Sequence, residues 1–266
     1  MKKLIITLIL FLFAPMLMAE SDASSIMQKQ KEMEHQHKLE VLIRDGNEIL
    51  SLSDDKISVS GILLNFEMKV YRSDVLRKTY KMTLKTKGKD RSLLEFTYPP
   101  RNQGQKMLRV KDSIWLYRPE INKIIQISGR SDAVGSDFSN NDILFVRLDE
   151  DYNAELLRVE DYKGEKAYVL ELKAKSESIT YARIIYWIRV KDYLPLQRDF
   201  YTISGMKLKT LILNVTSDIF EGNPDLLAMS NIMEKEKRST IQFTYLKTGV
   251  VFPDQIFQKN SLIRKR

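Results

Sequence analysis

Residues that commonly perform acid–base or nucleophilic chemistry are scarce in this 266-residue chain. Its two histidines, His35 and His37, lie together near the N-terminus, and it has no cysteine. A nucleophilic serine or cysteine normally needs a base beside it, most often a histidine. The histidines are far in sequence from the segments that we expect to form strands, so the sequence gives no indication of a catalytic triad.

The other candidates for metal binding or catalysis are weak. The spacing of His35 and His37 suits two ligands on a strand better than on a helix, and no cysteine is available to complete a zinc site. The carboxylates Asp149, Glu150 and Asp151 are consecutive, which is typical of a solvated loop rather than a paired acid–base site. The chain has no glycine-rich phosphate-binding loop. We therefore expect no enzymatic activity, no metal and no cofactor.

The first residues have the pattern of an export signal. Lys2 and Lys3 precede an apolar run from Leu4 to Met18, and the small residue Ala19 follows. The run is shorter than the ~20 residues that a membrane-spanning helix needs, which favours a cleaved signal over an uncleaved anchor. We expect Sec-dependent export to the periplasm, with cleavage after Ala19.

Composition limits the classes of partner. The formal net charge is +8, and loss of Lys2 and Lys3 with the signal leaves +6. A basic exported protein is consistent with peripheral contact with anionic lipid headgroups, and equally with general solubility. Nucleic acid is not an expected partner, because the basic residues are spread along the predicted strands and the chain is exported.

We expect a signal over residues 1–19, an arm over 20–38 and a single domain over 39–266.

Most of the chain has the period-two pattern of β-strands. From Ile62 to Val70 apolar residues occupy every second position, and similar alternation begins at Tyr80, Leu94 and Tyr168. Strict alternation is typical of antiparallel strands with one dry and one wet face. The pattern predicts ten or eleven strands. It also predicts short helical pieces at Asp142–Leu148 and Leu226–Lys237, and an earlier helix, interrupted by Gly46, with an apolar face of Leu39, Leu42, Ile43, Ile49 and Leu50.

A long antiparallel meander must cover its dry face. It can pack on a second sheet, or curl round helices as a half-open barrel and leave an apolar hollow beneath them. The candidates to line such a hollow are the residues of the inferred inward face and the two tryptophans, namely Phe66, Met68, Met82, Leu84, Phe96, Leu108, Trp115 and Trp187. Alternation alone does not distinguish a filled core from a ligand cavity.

Four stretches together carry a resemblance to a known family. They are Arg91–Pro99, Ile114–Pro119, Gly135–Asp142 and Gly249–Phe257, the last of them followed by Leu262. In this order they resemble the periplasmic outer-membrane lipoprotein-sorting (LolA-like) carriers of Gram-negative bacteria, over roughly Leu39 to Leu262. The resemblance implies a mainly β fold with a strongly curved antiparallel sheet, an incomplete and half-open β-barrel, covered by helices.

The resemblance also implies a function and partners. Such carriers bind the acyl chains of lipoproteins or lipids in an apolar cavity and carry them from the inner toward the outer membrane. Relatives in the branch that this chain resembles are often associated with inner-membrane exporters of the resistance-nodulation-division superfamily, which makes such an exporter an implied partner. Two alternatives remain open: a non-catalytic exporter accessory without a ligand, and a lipid-sensing regulator of envelope stress. We expect a monomer.

The loop between the two sets of strands is the expected lid of the cavity. Its residues are Gly135, Ser136, Asp137, Phe138, Ile143 and Leu144. In this interpretation Gly135 and Ser136 form a hinge, and the apolar members plug the hollow. The alternative is a rigid loop with Phe138 as a core anchor. Asp137 either caps the following helix or pairs with a strand arginine such as Arg109.

Overall fold

The computed structural model describes residues 26–29, 31, 45–57, 61–214, 226–231 and 236–263. The chain divides into two units, residues 1–44 and 45–266. In the first unit, residues 26–29 and 31 are helical. The predicted signal, both histidines and the apolar positions Leu39, Leu42 and Ile43 lie outside the described residues. Within those residues, none of the helices has the length and apolarity needed to cross a membrane.

The second unit begins with helix α1 (Gly46–Ile57), which packs on the strand that starts at Tyr152. The Asp45 side chain accepts a hydrogen bond from the Asn47 backbone N–H, as a helix N-cap does. A β-carbon on Gly46 would lie 2.6 Å from the Ala154 carbonyl oxygen, so this close approach of helix and strand requires glycine. Gly46 is the first residue of α1.

Thirteen strands form one antiparallel sheet in the described part of the chain. They are β1 (Leu63–Arg72), β2 (Val75–Lys87), β3 (Arg91–Tyr98), β4 (Lys106–Val110), β5 (Ser113–Arg118), β6 (Lys123–Ile127), β7 (Tyr152–Tyr162), β8 (Glu165–Ala174), β9 (Arg183–Arg189), β10 (Pro195–Tyr201), β11 (Lys207–Asn214), β12 (Leu226–Asn231) and β13 (Lys237–Lys247). Their spatial order is β6-β5-β4-β3-β2-β1-β13-β12-β11-β10-β9-β8-β7. Because β6 and β7 stand at opposite ends, the sheet is not closed. The predicted mainly β, half-open fold is confirmed.

Two local predictions of helix differ from the structure. Residues 226–231 form strand β12, so the prediction of a helical piece over Leu226–Lys237 was wrong there. Pairing with β11 and β13 on either side outweighs the helix propensity of its leucines and methionine. The piece predicted at Asp142–Leu148 is one turn, α2 (Asn140–Ile143), which begins earlier because Ser139 and Asp142 form a capping box.

The strand register separates the residues of the two faces of the sheet, because side chains directly opposite each other in an antiparallel pair point to the same side. Phe66, Met82 and Phe96 are opposite one another on β1, β2 and β3 and share the inner face. Leu93, Leu108 and Trp115 are likewise aligned on β3, β4 and β5, but they belong to the outer face.

The C-terminal segment covers part of that outer face. Phe257 and Leu262 pack on Leu93, Leu108 and Tyr117, and Trp115 packs at the margin of this cluster. Polar contacts attach the same segment: Lys87 donates to the Phe252 carbonyl oxygen and also forms an ion pair with Asp254. The sheet is therefore covered on both sides, by different parts of the chain.

Candidate functional site

A cavity of about 120 Å³ lies against the inner face of the sheet. It is far larger than the ~10–15 Å³ that one water needs by this kind of measure. Helix α1 and residues 138–148 line it from the other side. Most of the lining that the strands contribute is aliphatic or aromatic, including Leu64, Leu84, Leu211, Leu213, Phe243 and Leu246.

The predicted inner-face residues divide into cavity lining and packed core. Leu84 lines the cavity. Phe66, Met68, Met82 and Phe96 are almost fully buried and are not part of the cavity wall. Together they fill the inner face beside the cavity. Whether these five residues contact a ligand remains a prediction.

The other three predicted cavity residues lie on the outer face. Leu108 and Trp115 belong to the cluster beneath the C-terminal segment. Tyr186 is directly opposite Arg198 on the next strand, and Arg198 lines the cavity. Successive side chains of a strand point to opposite faces, so Trp187, the residue after Tyr186, points to the outer face. Its indole N–H donates to Glu160 at 2.6 Å. The alternation of apolar and polar residues could not assign these side chains to a face of the sheet, because β4 and β9 are buried or half-buried on both sides.

The first half of the predicted lid is attached to three strands by a buried carboxylate and its neighbours. Asp137 is 3.3 Å from the Arg72 guanidinium and accepts a hydrogen bond from the Ser239 hydroxyl at 2.6 Å. Lys209 donates to the Asp137 carbonyl oxygen, and Arg72 also donates to the carbonyl oxygen of Gly135. Of the two sequence alternatives for Asp137, pairing with a strand arginine is confirmed, although the residue is Arg72 of β1 and not Arg109, and capping of the following helix was wrong. Ser139 is the cap of α2.

Arg109, the other arginine considered for Asp137, is buried elsewhere and donates to the Lys89 carbonyl oxygen. Gly135 has a φ of +74°, a conformation that glycine adopts without strain. Ser136 is buried, and its hydroxyl oxygen accepts a hydrogen bond from the Phe138 backbone N–H. The hinge role of Gly135 and Ser136 remains a prediction.

The second half of the lid covers the cavity. Phe138 lines it, while Ile143 and Leu144 are fully buried. Sequence reasoning missed Phe145, whose ring lies 6.2 Å from that of Phe66 and 5.8 Å from that of Phe243, between centroids. The available signal was an aromatic residue directly after the predicted apolar plug.

Carboxylates on α1 hold the end of the lid. Asp54 accepts hydrogen bonds from the backbone N–H groups of Leu148 and Asp149, at 2.7 and 2.8 Å. Burial raises the pKa of Asp54 to about 6, against the opposing effects of Arg198 and these two N–H groups. Arg147 joins the same contact, because it pairs with Asp55 at 2.7 Å and also with Asp149.

The sequence suggested that Asp149 belongs to a solvated loop, but the structure shows that it is part of the contact between α1 and the lid. It is half-buried, and it accepts hydrogen bonds from Arg147 and from the Ser51 hydroxyl of α1. Burial alone would raise the pKa of Asp149, but the hydrogen bonds and charge of Arg147 lower it below the ordinary value.

The whole sheet and its covering resemble several solved structures. A LolA superfamily protein from Nitrosomonas europaea is 25% identical with a TM-score of 0.73, and the match covers 82% of this chain and 99% of that one. A protein-family model described as "-like: Uncharacterized protein" matches residues 88–264. The chain belongs to the LolA-like family. Among curated proteins, none matches this sequence significantly.

Two further structures share the fold of this LolA-like protein. One is described as an outer membrane lipoprotein-sorting protein domain from Vibrio parahaemolyticus, with 23% identity, a TM-score of 0.71, and 82% and 98% of the two chains covered. The other is a DUF1329 family protein from Desulfovibrio piger, with 23% identity, a TM-score of 0.72, and 82% and 97% coverage. At this identity the likeness concerns the fold alone.

The LolA-like cavity also contains a few polar side chains. Asp54, Arg198 and Asp142 line it together with the apolar residues. Arg198 donates to the Tyr186 hydroxyl oxygen at 2.8 Å, and Asp142 accepts a hydrogen bond from the Tyr181 hydroxyl. Among the described residues, no group of three or more histidine, cysteine or acidic side chains could hold a metal ion. The arrangement is suited to holding an apolar group beside a small polar cluster.

Proposed function

We propose that this LolA-like protein is a non-enzymatic periplasmic carrier. It binds acyl chains of lipoproteins or lipids in the cavity and carries them from the inner toward the outer membrane. The observation that carries this proposal is a largely apolar cavity between an open sheet and a lid held by a few polar contacts. The export signal predicted over residues 1–19 supports the periplasmic location.

Binding follows from apolar burial. Each methylene removed from water contributes ~0.8 kcal/mol, so even part of one acyl chain would bind appreciably. A chain longer than the present cavity has to displace lid residues, and Phe145 is placed to move because it lines the cavity and is only half-buried. Return of the displaced side chains competes with the ligand and allows release.

One edge of the sheet, formed by the ends of the strands and their turns and not by β6 or β7, is suited to peripheral membrane contact. Alternate turns of an antiparallel meander meet at the same edge, and here they include the turns after β1, β3, β5 and β10. In the described part of residues 45–263, six of the eleven exposed large apolar residues lie at this edge: Val75, Leu76, Tyr98, Ile121, Ile203 and Met206. Exposed cations accompany them, among them Arg77, Lys78 and Arg101.

Apolar side chains flanked by cations favour an anionic lipid surface. We expect the protein to sediment with vesicles that contain phosphatidylglycerol, and the double variant Val75→Ser/Leu76→Ser to bind them more weakly. Tyr245→Ser, an exposed substitution near the end of β13 that is far from this edge, is the control. Equal binding by all three proteins would contradict the assignment of this edge.

The carrier proposal is tested by native mass spectrometry and lipid extraction of protein purified from the periplasm without detergent. We expect co-purifying acylated species, and uptake of added palmitate or lipopeptide by the emptied protein. Leu211→Phe should fill the cavity and reduce uptake, whereas Ile125→Phe, at an exposed position of β6 that does not line the cavity, should not. A clean apo mass with no uptake would refute the proposal and favour an exporter accessory without a ligand.

A further inference from the structure

Arg198 has fewer partners than a charge at its position requires. In the described residues, three buried side-chain atoms lack a hydrogen-bond partner: Asn102 Oδ1, Asn140 Oδ1 and Arg198 Nε. Only the last belongs to a charged group, and only Arg198 of these three residues lines the cavity. Buried charges are normally paired, because leaving one unpaired costs far more free energy than leaving a neutral group unpaired.

The guanidinium group is held in place from one side. Its Nη2 donates to the Tyr186 hydroxyl oxygen at 2.8 Å, and its central carbon lies 4.4 Å from the centre of the Tyr186 ring. The Tyr186 hydroxyl is in turn 3.1 Å from the Ser53 hydroxyl, on α1. Tyr186 and Ser53 are both fully buried. Arg198 is therefore fixed by its surroundings, although no carboxylate of the described residues forms an ion pair with it.

Two carboxylates that lie near Arg198 are bonded to other groups. Asp54 and Asp142 both attract Arg198 electrostatically, but neither forms an ion pair with it. Asp54 accepts the two backbone N–H groups at the end of the lid. Asp142 accepts the Ser139 N–H and the Tyr181 hydroxyl. The lid and its capping box engage both carboxylates, which leaves the guanidinium group available to another acceptor.

We propose that Arg198 is the headgroup site of the cavity and binds the anionic oxygens of an acidic amphiphile, a carboxylate or phosphate at the end of an acyl chain. This inference rests on the proposed acyl-binding function. A guanidinium group pairs with either anion through two parallel hydrogen bonds. Phe200, Leu211 and Leu213 line the same cavity and would receive the chain. The site selects acidic ligands over neutral esters of the same length.

The test compares ligands that differ only in charge. Binding of cis-parinaric acid and its methyl ester is measured by fluorescence titration, with competition by lysophosphatidic acid and by monoacylglycerol to distinguish phosphate from carboxylate headgroups. We expect the wild-type protein to prefer the acid over the ester by about tenfold or more. Arg198→Gln should remove this preference and keep binding of the ester. Arg183→Gln, in strand β9, is the matched control because Arg183 does not line the cavity.

The outcomes separate this inference from the carrier proposal. Equal affinity of the wild-type protein for acid and ester, or an unchanged preference in Arg198→Gln, would overturn the headgroup site and leave acyl binding intact. Binding of neither ligand would refute acyl binding itself. If Arg198→Gln does not fold, Arg198→Lys is used instead. It retains the positive charge but lacks the two parallel N–H donors of the guanidinium group. A reduced preference for the acid in that variant supports the site, and an unchanged preference contradicts it.

Discussion

Asp54→Asn should make the protein more stable at neutral pH, although it alters a buried contact between α1 and the lid. Asp54 is almost fully buried and uses one oxygen to accept two backbone N–H groups. An asparagine oxygen can accept the same pair. What disappears is the cost of keeping an ionised carboxylate away from water, which raises the Asp54 pKa from an ordinary 3.8 to about 6.

The sign of the pH effect follows from proton binding. Between about pH 4 and 6 the folded protein keeps a proton on Asp54 that the unfolded chain has lost, so stability falls as pH rises through this range. About two pKa units correspond to roughly 3 kcal/mol at 1.36 kcal/mol per unit. The free energy of unfolding of Asp54→Asn should therefore exceed that of the wild-type protein by up to about 3 kcal/mol at pH 7, with little gain at pH 4.

Urea unfolding of both proteins from pH 4 to pH 8 measures the difference between their free energies of unfolding as a function of pH. Other carboxylates, including Asp151, whose pKa burial also raises, are present in both proteins and largely cancel. Asp112→Asn, in the exposed turn between β4 and β5, is the control for a change in net charge. A flat difference curve, or a less stable Asp54→Asn protein at pH 7, would refute the argument that desolvation of Asp54 weakens the closed lid.

Three further predictions concern the lid and its support. Phe145→Ala should enlarge the cavity, increase uptake of a fluorescent fatty acid and lower the free energy of unfolding by about 2 kcal/mol, since the ring is half-buried. Gly46→Ala should lower the thermal midpoint, because its new methyl group would meet the Ala154 carbonyl oxygen; Glu48→Ala, which changes an exposed position of the same helix, should have a much smaller effect. Arg72→Gln should destabilise by about 1–3 kcal/mol by leaving buried Asp137 without its cation, and a change below about 0.5 kcal/mol in urea unfolding would contradict that role.

The sequence predicted the sheet better than it predicted the faces of individual strands. Alternation along β1 and β2 is clear because one side is buried and the other is at least partly exposed. In β4 the consecutive residues Met107, Leu108 and Arg109 are all buried, because the C-terminal segment covers the outer face as the lid side covers the inner one. A strand buried on both sides has no period from which to assign Leu108, and the same is true of Trp187.

The second limit of prediction from the sequence was that it could not find contacts between residues far apart along the chain. Asp137 was correctly recognised as a residue that needs a partner, but Arg72 and Ser239 are 65 and 102 residues away in sequence. Only the pairing of β1 with β13 brings these two side chains to one place. The role of Asp54 was likewise invisible, because its partners are backbone groups at the other end of the lid.

The unequal attachment of the two ends of the lid indicates where it should open. At the Gly135 end, Asp137 is paired with a cation and a hydroxyl, and Lys209 supports the backbone. At the other end, Arg147 and Ser51 also connect α1 to the lid, but the two backbone N–H groups depend on Asp54. The ionised form of Asp54, which predominates above about pH 6, is destabilised by burial. We therefore expect opening to begin where α1 meets residues 147–149, directly beside the cavity, with the Gly135 end as the anchor. A spin-label pair across α1 and residue 150 should separate on ligand binding, whereas a pair across β1 and residue 135 should not. The opposite result would place the opening at the Gly135 end and would contradict a hinge at Gly135 and Ser136.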